Sequence, residues 1–84
     1  MLTEAHIKNL VQEEQYYVFP GTTVTVCCLT LTNGFNVTGE AACIHPGDFD
    51  AAKGRQIAKT NAINEIWKLE GYRAKQAIHE EAAE

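Results

Sequence analysis

Basic residues are scarce in this chain. Seven Lys and Arg stand against eleven Asp and Glu, a formal net charge of −4 over 84 residues. General affinity for nucleic acid comes from clustered cations that displace counterions from phosphates, so it is not expected of the chain as a whole, although a local basic patch remains open. Long apolar runs are missing too, and none approaches the roughly eighteen residues of a membrane-spanning helix. The opening "MLTEAHIKNL" is acidic and polar where a secretory signal has a basic start and a long apolar stretch, so a soluble protein that is not exported is expected. Cysteine is limited to Cys27, Cys28 and Cys43, which cannot all pair within one chain. A Cys27–Cys28 bond would close a strained ring, so free thiols in a reducing cytoplasm are the expectation. The three histidines, His6, His45 and His79, stand singly, without the paired spacings of metal sites. No nucleophile–base pair, metal cluster or phosphate loop emerges. The expectation is therefore a protein that is not an enzyme and that carries neither cofactor nor metal.

What is present specifies an α+β architecture. Thr3 is a good helix N-cap, and Leu2 and Ile7 have the spacing of a hydrophobic staple, which predicts a short N-terminal helix from about Glu4 to Glu14. Tyr16 to Phe19 have strand composition, and Pro20-Gly21 supplies the chemistry of a type II turn. A second strand is predicted from Thr22 to Thr32. Asn33-Gly34 then closes a two-residue hairpin onto a third strand, "FNVTGEAACI", completing a three-stranded antiparallel meander. After His45-Pro46-Gly47, Asp48 or Asp50 can cap a long C-terminal helix packed on the sheet, running from about Phe49 to beyond Ile78. One domain covers residues 1–84, with a polar tail after about residue 78.

If Thr32 faces Phe35 across the hairpin, Val24, Val26, Cys28, Phe35, Val37, Ala41 and Cys43 share the core face. Cys27, Leu29 and Leu31 then lie on the outer face, where they read as an interface. The apolar arc of the long helix covers more than half its circumference, wider than one small sheet can bury. Contacts with the first helix and a second subunit are therefore expected, with Trp67 at that interface. Gly54 predicts a close approach, and Gly71 a bend or fraying point.

The one stretch with binding chemistry is "KGRQIAKTNA". Lys53, Arg55, Lys59 and Asn61 lie in the first turns of the long helix, where free amides already favour anions; with Tyr72 they form a candidate site for a phosphate or carboxylate ligand. The same side chains also read as a solvated polar stripe.

Three segments, Phe19-Pro20-Gly21-Thr22-Thr23, Asn33-Gly34-Phe35 and Ile66-Trp67-Lys68-Leu69-Glu70-Gly71-Tyr72, resemble a family of small proteins of tailed bacteriophages and prophages, named after accessory genes of podophages that infect enterobacteria. The likeness covers residues 17 to 72, with Ala41-Ala42-Cys43 standing where the family has Ser-Ala-Cys. It implies no catalytic residue. It does imply a phage accessory protein acting in the cytoplasm of the infected bacterium, during host takeover or against host immunity. Such a protein is expected to work as a homo-oligomer that sequesters a small anionic or nucleotide signal, or that masks a host protein through Leu29 and Leu31. The order helix, three-stranded meander, helix is also that of a double-stranded-RNA-binding domain, the alternative reading.

Overall fold

A computed structural model describes residues 2–83. Helix α1 (Glu4–Asn9) leads into strands β1 (Val11–Val18), β2 (Thr25–Leu31) and β3 (Asn36–Ala41). A short 3-10 turn at Pro46–Asp48 precedes helix α2 (Ala51–Ala83). The strands form an antiparallel meander in the order β1-β2-β3, and α2 packs on one face of it. The α+β architecture is the one the sequence predicts.

Helix α1 starts where expected, with the Thr3 side chain accepting from the His6 amide at 3.1 Å. It is shorter than predicted, because the Thr32 amide donates to the Leu10 carbonyl at 2.9 Å and draws the chain into the sheet. Residues 11 to 14, expected to finish the helix, instead belong to the strand paired with β2, from Val11 opposite Leu31 to Glu14 opposite Leu29. Their helical propensity is a weak preference that cross-strand pairing overrides. At the other hairpin, Gly21 has φ 76° and the Thr22 amide donates to the Phe19 carbonyl at 3.1 Å, the turn that Pro20-Gly21 predicts.

The Asn33-Gly34 hairpin differs in one consequential detail. Leu31 rather than Thr32 faces Phe35, their backbones bonding at 2.8 Å, so the loop holds three residues, Thr32, Asn33 and Gly34. The Gly34 amide closes a turn onto the Leu31 carbonyl at 2.9 Å, and Gly34 then takes φ 89°. A three-residue loop of this kind shifts the register by one, and a shift of one exchanges the faces of a strand. Thr25, Cys27, Leu29 and Leu31 therefore join Val37, Gly39 and Ala41 beneath α2, with Leu29 opposite Val37 and Cys27 opposite Gly39. Cys27, Leu29 and Leu31 are buried core, and their assignment to an outer interface is corrected. Val26 and Cys28, predicted for the core, lie on the other face with Thr30, Thr38 and Glu40. Burying a leucine side chain is worth about 1.5–3 kcal/mol, so the register that hides both Leu29 and Leu31 is strongly favoured.

Helix α2 meets the sheet along a ridge of small residues. Ala58, Ala62 and Ile66 are fully buried, and Gly54 stands at the start of the same line. The closest approach is at Gly39. A Cβ there would run into the Ala62 amide nitrogen and the Ala58 carbonyl oxygen, and would come within 2.8 Å of the Ala62 Cα. Gly54 makes the close approach the sequence predicts, against Thr25. Asp50 caps the helix, accepting from the Lys53 amide at 3.2 Å. The helix runs unbroken through Gly71, where a bend or fraying point was expected. Its last third projects beyond the sheet in a molecule 58 Å long, and the segment after Ile78 is exposed and helical to Ala83; Glu84 lies outside the described residues. Among the described residues no helix is long and apolar enough to cross a membrane.

Candidate functional site

The ligand residues predicted on α2 do not converge. At about 100° per residue, Lys53 lies roughly 200° around the helix from Arg55, and Asn61 and Tyr72 fall on a flank opposite Lys59. Lys59 reaches across to β1, its Nζ 2.8 Å from Glu14 Oε2. Asn61 reaches the other way, donating to the Glu40 carbonyl of β3 at 2.8 Å. These two side chains fasten α2 to the two outer strands. Arg55 is exposed one turn before Lys59, Lys53 borders a small cleft at the start of α2, and Tyr72 stands 73% exposed on the projecting segment.

One groove brings binding chemistry together. It lies between α1 and α2, has a volume of about 430 Å³, and is bordered by Glu4 and Lys8 on one side and by Lys59, Ile63 and Trp67 on the other. Gln56, Thr60 and Asn64 add amide and hydroxyl groups along its rim. Trp67, expected at a subunit interface, packs partly against the core and presents the rest of its indole to this groove. Antiparallel packing of the two helices explains the assembly. His6 Nε2 lies 3.4 Å from Glu70 Oε2, and the buried Ile7 anchors α1 in the core cluster. Lys8, one turn after Glu4, pairs with it at 2.9 Å and so stands opposite Lys59. The Trp67 side chain, the Lys8 and Lys59 ammonium groups, each paired with a glutamate, and several amides thus line one groove, whose volume lies in the range of small-ligand sites.

The electrostatics beneath the groove are set by a second cluster. The Lys59 ammonium, through its hydrogen bond, holds the Glu14 carboxyl below the usual glutamate range. Tyr16, on the same face of β1, donates its hydroxyl to Glu14 Oε1 at 3.3 Å. Burial, reinforced by Cys27 and Glu14, pushes the Tyr16 hydroxyl up to about 12. Burial likewise raises the Cys27 thiol, which keeps it protonated and unreactive. All three cysteines are free thiols, and among the described residues no cluster of His, Cys, Asp and Glu could hold a metal ion.

Sequence reasoning singled out Lys59 and Trp67 but missed Lys8, Gln56, Thr60 and Asn64. The missing signal was three-dimensional: Lys8 joins Lys59 only because β1 begins at Val11 and folds α1 back over α2.

Comparison with known proteins gives one positive finding. The model of the "Phage protein (N4 Gp49/phage Sf6 gene 66) family" matches residues 2–78, and the chain belongs to that family. No curated protein and no solved structure matches the chain.

Proposed function

For a chain of this phage family, we propose that the protein is a non-enzymatic accessory protein that holds a small anionic, nucleotide-type signal in the infected host cell and so blunts a host response. The observation that carries this reading is the meeting of Lys8, Lys59 and the Trp67 indole in one groove of ligand size. Arg55, exposed a turn before Lys59, extends the same flank and supplies a further cation to a phosphate. The reading that a host protein is masked rested on Leu29 and Leu31 as outer apolar surface, and both are buried. The helix, meander, helix order keeps the RNA-binding comparison in view, but the net charge of −4 weighs against an extended phosphate-tracking surface.

Trp67 is the sole tryptophan, so its emission reports the groove directly. Native mass spectrometry of the purified protein after exposure to a bacterial nucleotide extract is expected to retain a nucleotide, and titration with that compound to quench Trp67 saturably. Loss of a charge-assisted contact is worth about 1.5–3 kcal/mol, so Lys8→Ala and Lys59→Ala should each weaken binding roughly 10- to 100-fold. A folded protein that retains no nucleotide and shows no change in emission would overturn the proposal.

A further inference from the structure

The two edges of the sheet are protected unequally. On β2, the Leu31–Phe35 bond places the backbone groups of the odd-numbered residues toward β3, so the even-numbered ones face β1. Glu13, Gln15 and Tyr17 of β1 therefore bond to β2, leaving the amides and carbonyls of Glu14, Tyr16 and Val18 pointing outward along an open edge. The corresponding edge of β3 lies under α2, with Asn61 already occupying the Glu40 carbonyl. β1 is also the longest strand, and it carries neither proline nor lysine to deter pairing.

We propose that β1 pairs antiparallel with β1 of a second copy, about a twofold axis at Gln15, to make a continuous six-stranded sheet. Charge arrangement favours this occupant and this register. Pairing about Gln15 sets Glu13 opposite the partner's Tyr17 and Glu14 opposite the partner's Tyr16, so no two carboxylates face each other. Shifting the axis to Glu14 would place two carboxylates directly opposite, which is destabilising. Each Glu14 also brings its own Lys59 at 2.8 Å, so the helix-side charge near the axis is balanced within each copy. The register pairs the regular stretch from Glu13 to Tyr17, clear of the bulge between Val11 and Glu13, and draws in the half-exposed Tyr17. Because α2 sits chiefly over β3 and β2, the helices of the two copies stand clear of the axis and do not obstruct the pairing. This inference does not depend on the nucleotide reading.

Gln15 and its symmetry mate form a non-hydrogen-bonded pair, the closer of the two antiparallel geometries and within reach of a disulfide. The test is Gln15→Cys in a Cys28→Ser, Cys43→Ser background, Cys28 being replaced because it faces Gln15 within the same chain. Mild oxidation should convert most of the Gln15→Cys protein to a covalent dimer, with little conversion for Glu13→Cys or for Thr38→Cys on the other edge. Light scattering of the unmodified protein at micromolar concentration should give a dimer mass. A monomer mass sinks the proposal, as does a dimer that crosslinks through Thr38→Cys and not through Gln15→Cys.

Discussion

Replacing Gly39 by alanine tests the account of how helix and sheet meet, because two lines of reasoning give opposite signs. Glycine inside a strand costs conformational entropy, so alanine at an ordinary strand position is expected to stabilise by a few tenths to about 1 kcal/mol. Here the new methyl would meet the Ala62 nitrogen, the Ala58 oxygen and, at 2.8 Å, the Ala62 Cα, all of them helix main chain. No rotamer change relieves a main-chain collision, so α2 must lift along the stretch where Ala58 and Ala62 are fully buried. Overpacking costs about 1–3 kcal/mol when side chains can shift, so a rigid backbone places Gly39→Ala at or above the top of that range. A domain of this size has about 4–13 kcal/mol of stability in all, and each kcal/mol lost lowers Tm by about 4–8 °C. A fall of roughly 10–25 °C is expected by circular dichroism. Adding Ala62→Gly should not restore stability, since the obstructing atoms are not its methyl. A Gly39→Ala protein that melts within 2 °C of the parent refutes the reasoning.

Three further outcomes follow from the same structure. Gly71 lies inside α2 with nothing within 4 Å of a Cβ, so Gly71→Ala should raise stability by about 1 kcal/mol in urea unfolding. The Thr25 hydroxyl is buried without a hydrogen-bond partner beneath Gly54, and Thr25→Val should therefore be stabilising or neutral where burial of a satisfied hydroxyl would make it costly. Tyr16, raised to about 12, should ionise late in an absorbance titration, a component missing from Tyr16→Phe. Its raised folded value means that its contribution to stability is intact below the ordinary tyrosine pKa near 10 and is lost as pH climbs toward 12.

The element order, both turns and the helix caps were legible because each rests on local chemistry: the Thr3 and Asp50 side chains, and glycines at positive φ. The register was not. Asn33-Gly34 marks a hairpin without stating whether two or three residues form its loop, and that single residue decides whether Leu29 faces water or core. Residues 11 to 14 read as helix because their polar composition suits an exposed helix as well as an edge strand, and only the pairing with β2 distinguishes the two. On α2, residue spacing correctly placed Arg55 and Lys59 on one flank but could not show that Lys59 leans onto β1 and Asn61 onto β3.

The ridge of Gly54, Ala58 and Ala62 also bears on how the molecule comes together. A meander links only neighbouring strands, so its contacts are close in sequence and can form early, whereas α2 must return from the end of the chain to cover it. The ridge's small residues set how near the helix may come, with Gly39 seated against Ala58 and Ala62, while the larger Ile66 and Trp67 fill the space further along. Lys59 and Asn61, gripping opposite strands, add a hold on the helix's angular setting from either side. Because they join α2 to the two outer strands, they can form only once the helix has returned to the sheet, so removing either should loosen a docked helix without undocking it.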